Sequence, residues 1–163
     1  PTVPQIVYGF GGSMQYKNFD FSVFFQGVAK TSLMMQNIHP FTSDQTTLLD
    51  FIAKDYWTEE NPNPNAEYPR LISNLDSHNN FMNSTYWLRS AAFLRLKNVE
   101  IGYDFKKLLL SKVSEIQGLR LYFSGSNLLT WSQIKYFDPE LRSTDGSAYP
   151  QMKTFVFGAN ITF

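Results

Sequence analysis

A period of two in hydrophobicity, repeated in five stretches, constrains the fold of this chain more than any other feature of its sequence. Between Ile6 and Tyr16 the even positions are mostly large and apolar, whereas the odd positions are small or polar. This alternation predicts a β-strand with one apolar and one polar face. By the same pattern, strands are predicted near residues 6–16, 19–30, 92–105, 119–128 and 153–163.

Short and long connections alternate between these strands. Only Lys17 and Asn18 separate the first two, which predicts an antiparallel hairpin. Long loops are predicted over residues 31–91 and 129–152. The first of these loops contains an amphipathic stretch that predicts a short helix from Thr47 to Trp57.

The residues on the apolar faces favour a membrane over water. Fifteen Phe, nine Tyr and three Trp make up 17% of the chain, and charged residues make up another 17%, against about 25% in an ordinary soluble domain. Phe and Tyr dominate the apolar faces, as expected for strands that end in the aromatic girdles of an outer-membrane barrel. A polar face on every strand suits a water-filled lumen. A soluble, aromatic-rich β domain, including one that binds carbohydrate, remains the less favoured interpretation.

The third predicted strand changes phase part way along. Leu94 and Leu96 occupy even positions, whereas the apolar residues from Val99 onward occupy odd ones. One extra residue at Lys97–Asn98, a β-bulge, would return all of them to a single face. In the opposite phase, Arg95 would face lipid at a cost of about 2–4 kcal/mol near the midplane of the bilayer.

Five strands are too few for a closed barrel, which needs at least eight. An open sheet in lipid would leave the backbone amides of its edges without partners, at several kcal/mol each. We therefore expect the chain to be part of a larger barrel or to pair with another chain. It opens at Pro1 without an initiator methionine or an apolar leader, which suggests that a leader has been removed or that the chain is a piece of something longer.

Several functional classes are disfavoured by composition. Fourteen basic and fourteen acidic residues give a net charge of zero, whereas nucleic-acid binding requires a basic surplus. The chain has no cysteine, and its two histidines, His39 and His78, belong to no motif with metal-ligand spacing. No Gly-x-Ser-x-Gly nucleophile motif occurs. We therefore expect no enzymatic activity, no metal and no cofactor.

Several ordered motifs resemble the SusC/RagA family of TonB-dependent outer-membrane transporters of Bacteroidetes, and they follow the family's order over nearly the whole chain. These motifs are Tyr16–Phe21 (YKNFDF) with Phe24–Gly27 (FFQG), Ala66–Leu71 (AEYPRL), Ser84–Leu88 (STYWL), Phe93–Tyr103 (FLRLKNVEIGY) and Gly125–Trp131 (GSNLLTW). Asp138–Glu140 (DPE) and Tyr149–Pro150 precede the last strand in the same way. Nothing in the chain resembles the family's N-terminal plug or its TonB-box segment.

The resemblance implies an all-β fold, namely the C-terminal strands of a large plugged transmembrane β-barrel in the outer membrane of a Gram-negative cell. It implies that loops 31–91 and 129–152 are extracellular and that the Lys17–Asn18 turn is periplasmic. It also implies TonB-coupled import of a glycan or peptide together with a SusD-like surface lipoprotein. A purely structural role, in which the segment completes the barrel without ligand contacts, is the alternative.

Three groups of residues are candidates for function. Aromatic rings in or beside the outer loops could stack on a sugar or peptide, although loop packing or girdle anchoring would explain them equally: Trp57, Tyr86, Trp87 and Trp131. Charged residues on the polar faces are expected to face the transport path or the plug: Asp20, Glu100, Asp104 and Arg120. The last strand resembles the signal that the outer-membrane assembly machinery reads, through Phe155, Phe157, Ile161 and Phe163. We interpret Asp138 and Glu140 as solvated loop charges.

Overall fold

The structure is a computed structural model that describes residues 1–35, 48–71, 82–105, 116–142 and 148–163. It is almost entirely β, which confirms the predicted fold class. The strands are β1 (Ile6–Tyr16), β2 (Phe19–Ala29), β3 (Ser32–Met34), β4 (Leu88–Ser90), β5 (Phe93–Asp104), β6 (Gly118–Ser132) and β7 (Thr154–Thr162). A five-residue helix, α1 (Asp50–Lys54), and a 3-10 turn at Thr85–Trp87 complete the elements. No helix in these ranges is long and apolar enough to cross a membrane.

Five strands form one antiparallel sheet in the order β1-β2-β5-β6-β7, while β3 and β4 pair with each other. The predicted hairpin joins β1 to β2, and Tyr16 lies opposite Phe19 across a two-residue turn. Lys17 has a positive φ of 56°, which is the backbone conformation that a tight hairpin turn requires at its first central position. We call this end of the sheet the turn end and the opposite end, where β6 reaches Ser132, the loop end.

The strand register gathers the apolar positions of all five strands on one side, which we call the apolar face. Phe10 lies opposite Phe25, Val23 opposite Val99, and Phe123 opposite Phe157. Many of these side chains are exposed, with Phe10 at 53% and Phe157 at 75%. An exposed apolar surface that is continuous over five strands is typical of a surface that meets lipid or another protein rather than water.

The other side of the sheet, the polar face, carries Asp20, Ser22, Gln26, Arg95, Asn98, Glu100, Arg120, Ser124, Ser126, Thr130 and Asn160 in register. Phe24 interrupts this face, and the structure gives the reason. Its ring lies over Gly9 and Gly11 of β1, where a Cβ atom at Gly9 would come within 3.0 Å of it. The ring therefore covers backbone that two glycines leave bare.

The bulge predicted in the third strand is confirmed. On β5, Asn98 lies opposite Phe24 and Leu96 opposite Phe25, so Lys97 is the extra residue. Pairing with β6 then resumes at Leu96 opposite Leu129 and continues to Phe93 opposite Ser132. Because β5 supplies partners up to this point, β6 runs four residues beyond the predicted limit of residue 128.

The chain divides into two compact units, of which the sheet is the first and the described part of residues 34–88 belongs to the second. In the second unit, Ile52 and Trp87 are almost fully buried. The helix α1 is shorter than the predicted helix from Thr47 to Trp57, whose first residue lies outside the described ranges. Its end is explained by a change of partner, because the Trp57 backbone N–H donates to the Tyr68 carbonyl at 3.0 Å.

Candidate functional site

A charged group at the turn end joins three strands on the polar face. Arg120 of β6 donates from Nε to Asp20 Oδ2 at 3.0 Å and from Nη2 to Asp20 Oδ1 at 2.5 Å. Its Nη2 also donates to Glu100 Oε1 of β5 at 2.7 Å. The paired contact with Asp20 is the two-pronged geometry that makes arginine–carboxylate bonds strong and directional. We call these three residues the strand cluster.

Gly102 makes the strand cluster possible. It lies between its register partners Asp20 and Tyr122 on the two neighbouring strands, directly under the bridge. A Cβ atom at this position would collide with the Asp20 carboxylate and would lie 2.5 Å from Arg120 Nη2. The glycine was not among the predicted site residues, although its position between Glu100 and Asp104 on the polar face of one strand was the signal that could have found it.

The fourth predicted polar-face residue, Asp104, lies opposite Arg120 in the register. The three members of the strand cluster keep between 28% and 38% of their side chains exposed. Two carboxylates face one guanidinium, so the strand cluster carries one net negative charge. The structure therefore brings Asp20, Glu100, Asp104 and Arg120 together on one end of one face.

A second charged group at the loop end joins the sheet to the segment that follows β6, and we call it the loop cluster. Arg95 of β5 donates from Nη2 to Asp138 Oδ1 at 2.5 Å and from Nη1 to Gln151 Oε1 at 2.5 Å. Glu140 Oε2 lies 3.1 Å from Arg95 Nη1 and 3.7 Å from Lys97 Nζ. These contacts hold the segment after β6 against the polar face.

The loop cluster corrects our interpretation of Asp138 and Glu140 as solvated loop charges. The Arg95 and Asp138 side chains are only 2% and 9% exposed, and Glu140 is 29% exposed. The reason is the segment's path, because it folds back over the sheet instead of extending into water. Arg95 could be assigned to the polar face from the bulge, but its partners, 43 to 56 residues away, could not be identified from the sequence.

The four aromatic candidates for ligand contact lie in different surroundings. Trp87 is only 2% exposed, and the Tyr86 ring packs edge-on against it with a distance of 5.0 Å between the ring centroids. The Tyr86 hydroxyl donates to the Glu67 carbonyl at 2.7 Å, while Trp57 is half-buried. Trp131 lies in β6 rather than in a loop, on the apolar face, with its ring centroid 6.5 Å from that of Phe25.

The candidates for the assembly signal line the last strand. Phe155, Phe157 and Ile161 alternate along the apolar face of β7 and are at least half exposed. Phe163 follows the final strand residue and is also exposed. Among the described residues, no group of three acidic or imidazole side chains could hold a metal ion. His39 and His78 lie outside the described ranges.

Comparison with known proteins gives similarity along nearly the whole chain. A TonB-dependent receptor of Formosa agariphila is 30% identical over 177 residues, which cover 99% of this chain and 17% of the relative. The TonB-dependent receptor SusC of Bacteroides thetaiotaomicron is 29% identical over 97% of this chain and 15% of its own length. No family model matches the chain.

Solved structures agree with these relatives. The structure of the RagAB peptide transporter superposes with a TM-score of 0.71 and 26% identity, over 99% of this chain and 18% of the matched chain. The RagAB importer in its open-open state gives a TM-score of 0.72 at the same identity, over 17% of that chain. The chain thus spans about a sixth of the length of the proteins that it matches.

Proposed function

Because the chain belongs to the SusC/RagA type of TonB-dependent receptors, we propose that its five long strands are consecutive strands in the barrel wall of an outer-membrane nutrient importer. In this role the apolar face meets lipid and the polar face lines the lumen. The proposed work is transport rather than catalysis. The segment would belong to the C-terminal part of the barrel, with β7 and Phe163 contributing the assembly signal.

The separation of the two faces supports this proposal more than any other observation. Large apolar side chains occupy the apolar face of every strand, and on β1, β5, β6 and β7 several of them are exposed, among them Phe10, Tyr103, Phe123 and Phe157. In water, such a surface would promote aggregation. In a bilayer it removes the need for burial against a second sheet, so one layer of strands is sufficient.

The two outer strands also fit a larger barrel. In the five-stranded sheet, β1 and β7 each pair with a neighbour on one side only. The unpaired backbone groups of either edge would cost several kcal/mol each in lipid. We propose that further strands of the complete receptor satisfy both edges, as in plugged barrels of about 22 strands.

The partners belong to the same proposal. The RagAB structures are described as those of a peptide transporter and importer, and we propose that this receptor likewise takes up a peptide or a glycan. A SusD-like surface lipoprotein would cap the loop end, and TonB would act through a segment outside this chain. The strand cluster would face the plug or the transport path.

A structural role without ligand contact is the second candidate function. The positions of two aromatic residues favour this structural role over a role in ligand binding. Trp87 is buried, and Trp131 lies on the apolar face beside Phe25. Trp131 in this position suits a girdle ring at the membrane interface better than a sugar-stacking ring. Of the four aromatic candidates, Trp57 and Tyr86 remain for ligand contact.

Uptake measured separately from assembly distinguishes the two candidates. In the complete receptor, we expect Trp57→Ala and Tyr86→Ala to leave the amount of heat-modifiable barrel in the outer membrane unchanged and to lower TonB-dependent substrate uptake severalfold. Trp131→Ala serves as the control that should not change uptake per assembled barrel. Full uptake by the first two variants would favour the structural role. Absence of the unsubstituted receptor from the outer membrane would contradict the proposed function itself.

A further inference from the structure

A cleft of about 310 Å³ opens on the polar face at the loop end, between β6 and the segment that follows it. Its lining includes Arg95, Thr130, Ser132, Lys135, Phe137 and Asp138. All of these residues belong to the unit that contains the sheet. The volume lies at the lower end of the range of small-molecule sites, which suits one sugar ring or one end of a peptide.

Several hydrogen-bond donors in and beside the cleft are uncommitted. The Arg95 Nε–H is buried and has no partner among the described residues. The Ser132 hydroxyl oxygen accepts from the Ile134 backbone N–H at 3.1 Å, which leaves the hydroxyl hydrogen for another acceptor. Thr130 adds a second hydroxyl on the same strand.

The main acceptor in the cleft is already used. Asp138 Oδ1 accepts from Arg95 Nη2 at 2.5 Å and from the Glu140 backbone N–H at 3.0 Å. The carboxylates of Asp138 and Glu140 also balance the charges of Arg95 and Lys97. The Asp138 carboxylate is therefore shared between two donors within the protein, and the open donors of the cleft remain for an incoming acceptor.

Lys135 supplies the remaining charge. It is exposed, lines the cleft, and has no ion-pair partner in the part of the chain that the structure describes. With Lys135 included, three cations stand against two carboxylates around the cleft. A carboxylate is the ligand group that would meet both the surplus positive charge and the open donors.

We propose that this cleft binds a carboxylate of the transported substrate, held by Lys135 and by the hydroxyls of Thr130 and Ser132, with the Phe137 ring against its apolar part. The inference rests on the proposed importer function and assigns that importer an acidic substrate. The carboxylate could belong to a uronic acid in a glycan or to the terminus of a peptide, because both present the same group.

The test uses the complete receptor, purified in detergent, with two pairs of probes and titration calorimetry. An oligogalacturonate is compared with a neutral oligogalactan, and a peptide with a free carboxyl terminus is compared with its amidated form. We expect at least one acidic probe to bind about tenfold or more tightly than its uncharged counterpart. The pair that shows this preference identifies the source of the carboxylate.

Substitutions in the cleft then locate the preference. Lys135→Met should reduce the preference for the acidic probe to about twofold or less, and Thr130→Val should weaken this preference severalfold. Lys153→Met, which removes an exposed lysine outside the cleft, should leave the preference intact. Equal binding of both members of each pair, or a preference that survives both cleft substitutions, would overturn the inference. If the barrel assembles and imports a neutral substrate, the inference fails while the proposed function stands.

Discussion

Two arginines on the polar face, Arg120 and Arg95, each bind two carboxylates but are built into the molecule differently. Arg120 bridges strands that already pair with one another, and about a third of each side chain in the strand cluster is exposed. Arg95 connects a strand to a returning segment, and it is almost fully buried. The strand cluster therefore adds to a sheet that the backbone already holds, whereas the loop cluster is a main attachment of its segment.

This difference predicts unequal costs of disruption. Removing one partner from a buried charge pair leaves the other charge uncompensated and costs about 3–5 kcal/mol. Pairs that remain partly exposed are worth about 0–1 kcal/mol, because water and salt screen them. Both estimates apply to the sheet and its attached segment in the complete receptor.

The largest effect is expected from Arg95→Met. The substitution leaves Asp138 buried without its cation. The free energy required to open segment 133–142 should therefore fall by about 3–5 kcal/mol. Hydrogen exchange of this segment's backbone amides should accelerate by about a hundredfold or more. Lys97→Met, at the partly exposed rim of the same cluster, is the control with a small expected effect. Unchanged exchange in Arg95→Met would show that the loop cluster does not hold the segment.

Gly102→Ala should have a small effect, because it acts only through the strand cluster. The added Cβ would meet only the tips of the Asp20 and Arg120 side chains, which can move aside, so the cost should not exceed the worth of a partly exposed pair, about 0–1 kcal/mol. The midpoint of thermal unfolding of the purified receptor should fall accordingly. Gly118→Ala, where the nearest atoms lie at 3.8 Å, provides the matched control on β6. If the two variants were equally stable, the close approach at Gly102 would have no energetic consequence.

Arg120→Met should also have a small effect on stability, about 1 kcal/mol or less, because the pairs that it removes are partly exposed. The five-stranded pairing does not depend on the guanidinium, and the carboxylates of Asp20 and Glu100 remain hydrated. Unfolding in denaturant at low and at high salt measures this cost, which should shrink as salt rises. A loss as large as that of Arg95→Met would remove the distinction between the two clusters.

The difference between the clusters also marks what could be predicted from the sequence. The hairpin of β1 and β2, the bulge at Lys97 and the polar-face positions of Asp20 and Arg120 follow from local alternation. The bridge between Asp20 and Arg120 spans 100 residues, so the alternation predicts that both residues lie on the polar face but not that they pair.

Predictions were weakest where pairing with a distant strand decides the structure. The local pattern predicts a loop at Trp131, yet β5 provides partners that extend β6 past it. Asp138 was expected in water, yet Arg95 draws it onto the sheet. In both places a partner tens of residues away along the chain overrides the local pattern of loop residues.

We propose that one face of the sheet meets lipid and that the other meets a water-filled lumen. Phe123 and Ser124 are neighbours on β6 that point to opposite faces, near the middle of the strand. The most direct measurement compares Phe123→Arg with Ser124→Arg by the fraction of complete receptor that is folded, as heat-modifiable barrel, in the outer membrane. Phe123→Arg should cost about 2–4 kcal/mol and deplete the folded barrel, because the charge would face hydrocarbon. Ser124→Arg should assemble nearly normally, since its side chain would enter the lumen beside Glu100. Equal assembly of the two variants, or a greater loss from Ser124→Arg, would contradict the assignment of the faces.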